Sequence, residues 1–404
     1  MISVEEAERR ILAGFEVLPA ELVALPEALG RVLAADVASR ITQPWAAVSA
    51  MDGYAVRAAD IDPVPAVLTQ IGSVPAGASF DGSVGPGQCV RIFTGAPLPA
   101  GADTIVIQED ADADGDQVTV REGAALGTYV RPAGLDFAAG DVLLEAGRLL
   151  TARDIGLAAA MNHPWLRVRR RPRVAILATG DEIVMPGEPV GPSQIVSSNG
   201  PALAALVTAC GGTPVGLGVA RDERESLIAM AAGAAGCDLL LTTGGASVGE
   251  HDLIREVLGD AGLELDFWKI AMRPGKPLMF GRIGATPMLG LPGNPVSSMV
   301  CALLFVRPAL LRLLGVARPE PLTATAILGR DLPANDRRQD YLRGRLERDD
   351  AGRPVATPFD LQDSSVFSGL AAADCLVVRP PHAPPAKAGD TVPAIGFPAG
   401  TARI

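Results

Sequence analysis

The chain has 404 residues, of which 48% are hydrophobic and 20% charged, a length that predicts about two to four domains. Its formal charge of -11 argues against a nucleic-acid partner, and five cysteines without C-x-x-C spacing suggest neither a disulfide framework nor a zinc site and fit a reducing cytoplasm. The 45 glycines and 34 prolines show no repeat, so sites built from shaped loops are expected.

In chain order, "SVEEAERRILAGF" reads as a helix opened by a Ser3/Glu6 capping box, and its charged start is unlike a signal peptide. Residues 1 to about 40 are expected to be helical. Residues 45–136 consist of short β-type runs cut by Pro and Gly, and the 137–170 segment returns to helix. The basic run "RVRRRPR" (167–173) reads as a solvated inter-domain strand or linker. From 171 to 318 apolar strands alternate with helices: "RPRVAILATG", a helix capped by Ser198 or Asn199, "TPVGLGVA", the helix "RDERESLIAMAAGAAG", "CDLLLTTGG", the helix "EHDLIREVLGDAG", "TPMLGLPG", and a long helix after Pro295. This predicts a doubly wound α/β domain with a parallel sheet covered on both faces. Its ligand should lie beyond the carboxyl ends of the strands. The apolar run "VSSMVCALLFVRPALLRLL" (296–314) is cut by Arg307 and Pro308 and reads as a buried helix, with no membrane span. Residues 319–404 form a second β-rich module. The expected domains are therefore 1–44 with 137–170 (helical linker), 45–136 (β-rich), 171–318 (α/β) and 319–404 (C-terminal β, barrel-like).

Four strand-end loops carry Gly and short polar residues: "ATGDEI" with Gly180, "SSNGP" with Ser198 and Asn199, "TTGGASVGEHD" with Gly244, Gly245, Ser247 and Gly249, and "GLPGNPVSS" with Pro292, Gly293, Asn294 and Pro295. Backbone N–H groups at glycines and helix N-termini favour phosphate. No P-loop or dinucleotide fingerprint is present. "FWKIAMRPGKPLMFGR" supplies Lys269, Arg273, Lys276 and Arg282 with no acid, which suits an anion. Arg343 in "DYLRGRL" and Ser364 or Ser365 in "LQDSSVFSGL" read either as strand-surface residues or as a further guanidinium fork and hydroxyl. The acids Asp52, Asp136, Glu182, Asp222 and Asp252 serve either as caps and turns or as Mg²⁺ ligands completed by substrate phosphates.

"SAMDGYAV", "RIFTGAPLPAGADTIVIQED", "ATGDEI", "SNGPAL", "TTGGASVGEHD", "MRPGKP" and "GLPGNPVSS" stand in an order that resembles the MoeA family of molybdopterin molybdenumtransferases and is similar to the E domain of gephyrin. The resemblance spans nearly the whole chain. It implies a cytoplasmic homodimer with a MoeA/MogA-like central domain. The active site would lie between the α/β domain of one subunit and the "AMDGYAV" module of the other. It implies insertion of molybdate into adenylylated molybdopterin with release of AMP and dependence on Mg²⁺. An upstream molybdopterin adenylyltransferase would be a partner. Catalytic positions then fall on Asp52, Thr94, Asp136, Glu182, Asp222, Asp252 and Lys269, metal positions on Glu182, Asp222 and Asp252, and molybdate positions on Arg273, Lys276, Arg343 and Ser364. The glycine-rich loops would hold the cofactor precursor. Two departures stand out: Arg273 occupies the place of a lysine in "KPGKP" relatives, and "RPAGLDF" around Asp136 replaces a stretch ending Gly-Glu-Asp.

A non-catalytic molybdopterin-binding or scaffold protein on the same fold is the alternative, and it would be expected to carry a Pro/Ser-rich linker that this chain does not show. A pterin adenylyltransferase would need only the α/β domain, without the β modules.

Overall fold

The computed structural model describes residues 1–75, 77–244, 257, 259, 262–317 and 323–397. They group into two compact units. One comprises Met1–Ala35, Ala146–Ile155 and the chain from Trp165 onward; the other comprises Asp36–Glu145 and Gly156–Pro164.

The first unit is organised by a six-stranded sheet. Thr213–Ala220, Arg173–Thr179, Leu239–Thr243 and Thr286–Leu291 run parallel in that spatial order, and Met279–Ile283 and Leu263–Trp268 continue it antiparallel. Alternate side chains of one strand enter different cores. Val174 and Ile176 pack with Leu203, Val207 and the helix at 295–313, whereas Ala175 and Leu177 pack with Leu227 and Ala231. Period-two alternation of apolar residues on both faces is what a covered sheet requires. The expected parallel sheet is therefore extended by an antiparallel hairpin. "MRPGKP" serves as its connection, so a segment read only as a basic turn is framed by two strands.

The helix after Pro295 is α-helical over Pro295–Cys301, wider over Ala302–Val306 and α-helical again over Arg307–Leu313. Pro308 has no N–H to donate within the helix, which accounts for the local widening. Over Pro295–Leu313 it is long and apolar enough to cross a membrane, but 67% of its most apolar window is buried inside the protein. It is a core helix.

Elsewhere the expected helices are shorter. Within 1–40 only Val4–Ala13 is an α-helix, and Ala20–Ala24 pairs antiparallel with Trp165–Arg169. Pro19, Pro26 and Gly30 interrupt the pattern. Within 137–170 only Ala152–Ala160 is helical. The Ser3 hydroxyl accepts the Glu6 N–H at 3.1 Å. Glu6 does not complete the capping box, because its carboxylate is taken by Arg9 and Arg10, which hold its pKa down at about 2. The basic run is not simply solvated: Arg170 pairs with Asp238 at 2.8 and 2.7 Å and Arg169 donates to the Leu18 carbonyl.

The C-terminal module closes on itself. Gln339–Arg348, Pro354–Pro358, Thr323–Leu328, Thr391–Gly396 and Cys375–Arg379 follow one another in the sheet, and the first pairs again with the last. This five-stranded barrel removes free sheet edges. The second compact unit holds an open six-stranded sheet ordered Thr104–Ile107, Gly53–Val56, Gln88–Ile92, Ala66–Val74, Gln117–Val120 and Ala111–Asp114. Tyr54 and Val56 face one core and Ala55 the other.

Candidate functional site

At the carboxyl edge of the parallel strands, Asn199 ties the loops together. Its Nδ2 donates to Thr243 Oγ1 at 2.7 Å and to the Gly293 carbonyl at 2.8 Å. Ser198, the residue before the helix Asn199–Ala209, makes no side-chain cap bond. The amide of Asn199 is thus spent on joining three loops rather than on capping its own helix. Thr179 Oγ1, Thr242 Oγ1 and Asn199 Oδ1 are buried with no partner among the described residues. Unpaired buried polar atoms are costly, and here they collect on one edge.

A second link reaches this edge from the barrel. Asn294 Nδ2 donates to Ser364 Oγ at 2.8 Å, and the Val296 N–H donates to the Ser364 carbonyl at 3.2 Å. The Ser364 hydroxyl accepts from Asn294, so its own proton is directed to another acceptor. Pro292, Gly293, Asn294 and Pro295 of the strand-end loop therefore sit against the "LQDSS" loop. Arg343 is 1% exposed. Its guanidinium donates to the carbonyls of Val366 and Asp363 at 2.9 Å and of Leu361 at 3.3 Å. Burial lowers its pKa. Its donors are engaged by the loop that carries Ser364, so in this fold it holds that loop in shape.

The acids on the same sheet converge in part. Gly180, at φ +136, lies beneath the Glu182 carboxylate, and a Cβ there would come within 2.6 Å of Glu182 Oε2. The Asp222 N–H donates to Asp181 Oδ1 at 3.2 Å. Burial, then the charges of Asp181 and Glu182, raise the Asp222 pKa. Asp181 was overlooked in the sequence although it stands inside "ATGDEI". Among the described residues no three His, Cys, Asp or Glu side chains form a ready-made metal site. Asp252, Gly245, Ser247 and Gly249 lie outside the described residues.

Ionised Asp222 is disfavoured in the fold relative to the unfolded chain, a cost present at neutral pH and absent below the usual carboxylate range. Asp222→Asn is therefore expected to raise the melting temperature at pH 7. The gain should vanish as the pH falls through the carboxylate range, and a variant less stable than wild type at pH 7 would contradict this reading.

The basic loop is held by its surroundings. Lys269 has φ +77, a strained value for a residue with a Cβ, and its Nζ stands 3.6 Å from the Trp268 ring centroid. Gly275 packs on Cys301, whose thiol donates to the Gly275 carbonyl at 3.7 Å. Arg273 is ion-paired with Asp340. Arg273 and Gln362 line a common cavity of about 420 Å³. Lys276 lies on the same loop, accepting backbone bonds from Ile270 and Leu278.

In the second unit, Asp52 Oδ1 accepts from both the N–H and the hydroxyl of Thr94, each at 2.7 Å. The backbone bond, then the hydroxyl, lower its pKa. Arg91, which opens "RIFTGAP", stands 5.1 Å from the Tyr54 ring centroid and 4.8 Å from that of Phe93 and donates to the Gly53 carbonyl at 2.9 Å. Asp136 is exposed, its N–H donating to the Gln43 carbonyl at 3.0 Å.

Residues 2–162 match the MoeA N-terminal region (domain I and II), residues 175–312 the "Probable molybdopterin binding domain", and residues 325–397 the MoeA C-terminal region (domain IV). A molybdopterin molybdenumtransferase from a Nostoc species is 36% identical over 369 residues, covering 89% of this chain and 85% of that protein. One from Haemophilus influenzae is 34% identical over 399 residues, covering 97% and 98%. A crystal structure of the molybdopterin biosynthesis MoeA protein of Pyrococcus horikoshii superimposes with a TM-score of 0.86 at 32% identity, covering 99% of this chain and all (100%) of that one.

Proposed function

The chain belongs to the MoeA family of molybdopterin molybdenumtransferases, and we propose that it inserts molybdate into adenylylated molybdopterin with release of AMP. The observation that carries this reading is the Asn294–Ser364 bond. It brings a hydroxyl beside the strand-end loops, in a fold that also sets Arg273 and Gln362 around one cavity. Glycines and helix N-termini suit the pyrophosphate. Cations and hydroxyl donors suit a tetraoxo dianion, which carboxylates would repel.

Within this scheme Gly180, Gly244, Gly293 and Asn199 frame the phosphates. Lys269, Arg273, Lys276 and Ser364 receive molybdate, and Arg343 holds the Ser364 loop in place. Water adds to one phosphorus as the bridging P–O bond breaks, with Glu182 orienting that water. Asp52, kept anionic by Thr94, would be contributed by the partner subunit of a homodimer. An upstream molybdopterin adenylyltransferase would supply the substrate.

Asp181, Glu182 and Asp222 offer hard oxygen donors, and their mutual repulsion is the environment that a divalent cation relieves. Mg²⁺ bound there, with Asp252 and the substrate phosphates, would offset charge on the leaving phosphate. Added Mg²⁺ should raise the melting temperature of the wild type more than that of Asp222→Asn.

The deciding experiment incubates the purified protein with adenylylated molybdopterin and Mg²⁺, with and without molybdate, and follows AMP. Molybdate-dependent AMP release is expected, falling by about 100-fold or more in Asp52→Ala, the scale of losing one preorganised polar group. AMP release indifferent to both molybdate and Asp52 would overturn the assignment.

A further inference from the structure

Arg273 is half exposed and carries two acidic neighbours of different character. The short strand Met272–Arg273 runs parallel to Gln339–Arg348 with Arg273 opposite Asp340, so backbone register places the two side chains together. Asp340 is 4% exposed, and its Oδ2 pairs with Arg273 Nη2. Its Oδ1 is buried without a partner among the described residues. Arg273 is thus the cation that compensates this carboxylate, and a buried carboxylate stripped of its cation is strongly disfavoured. Asp336 differs. It is well exposed, already engaged by Arg338 at 2.8 Å, and lies 3.8 Å from Arg273 Nη1.

We propose that Asp340 is a positioning residue that pins the Arg273 guanidinium for oxyanion capture, while Asp336 competes with the oxyanion for Nη1. This rests on the molybdate reading of Arg273. With Nη2 tethered, the guanidinium is restricted in orientation and its remaining N–H groups are left for acceptors other than Asp340. A pinned fork reads the spacing between acceptor oxygens, which is wider in molybdate than in sulfate. An arginine gains this property only if something holds it, and a lysine could not use the same tether to orient two donors.

The test uses the full-length protein and AMP release measured against molybdate concentration, with sulfate as competitor and melting temperature as a folding control. Asp340→Asn is expected to raise the molybdate KM about tenfold, the scale of one charge-assisted hydrogen bond. The rate at saturation should be retained and sulfate should compete better. Asp336→Asn should lower the molybdate KM. Asp340→Asn added to Arg273→Lys should cost no more than Arg273→Lys alone. Unchanged KM in both acid variants, or KM raised equally in both, would overturn the inference. If Asp340→Asn fails to fold, Asp336→Asn decides: a KM that does not fall refutes the competition. A wild type without molybdate-dependent AMP release would instead refute the proposed function, so the two failures are distinguishable.

Discussion

Arg343→Ala is expected to lose about 3 kcal/mol or more of folding stability, since each buried carbonyl left without its donor costs about 1–3 kcal/mol, and to abolish the molybdate dependence of AMP release. The guanidinium is fully enclosed and donates to three carbonyls between Leu361 and Val366. Gln362 closes the arrangement, accepting the Arg343 N–H at 3.0 Å and returning its amide to the Arg343 carbonyl at 2.9 Å. Alanine would leave those carbonyls without donors in a space too dry to replace them. Arg343→Lys should not rescue, since a single ammonium cannot reach carbonyls spread over six residues. Urea unfolding and AMP release check this together. A loss of stability below about 1 kcal/mol, within the range of ordinary substitutions, would show that the loop is held by other means.

Gly244→Ala should be nearly as damaging, for a backbone reason. Gly244 has φ +97, and a Cβ there would stand 2.3 Å from the Thr179 carbonyl oxygen. Strain of about 1–3 kcal/mol from the conformation would add to about 1–3 kcal/mol of overpacking, because a strand carbonyl cannot move aside as a side chain can. Gly293→Ala is the informative contrast. Among the described residues its Cβ would meet Gly244 Cα alone, at 3.6 Å, so stability should stay within about 0.5 kcal/mol. If Gly293 gives the phosphates room for close approach, AMP release should nevertheless fall. Equal destabilisation of both variants would mean that the loops are not packed as described.

The continuous apolar runs of Arg173–Thr179, Leu239–Thr243 and Thr286–Leu291, alternating along the chain with helical stretches and ending in glycines, suffice to read a covered parallel sheet and the edge where its loops gather. These features are local, so the sequence carries them without tertiary information. The antiparallel hairpin was not legible, because "FWKIAMRPGKPLMF" combines a basic turn with strands too short and mixed to show a clean period. The short helix ends near 1–40 and 137–170 were obscured for a related reason: propensity favoured helix, and tertiary pairing of Ala20–Ala24 with Trp165–Arg169 prevailed.

By itself the sequence determined which residue types are available at the site: phosphate-tolerant glycines, a basic loop, and carboxylates placed at strand ends. The tertiary structure alone decided which of them are engaged. Arg343, an arginine on an alternating strand, becomes a buried anchor because acceptors 18 to 23 residues later fold over it. Arg273 acquires a buried counter-ion 67 residues away, and Ser364 meets Asn294 across 70. Such partnerships have no local period to betray them, because they depend on barrel closure and strand register rather than on neighbouring residues.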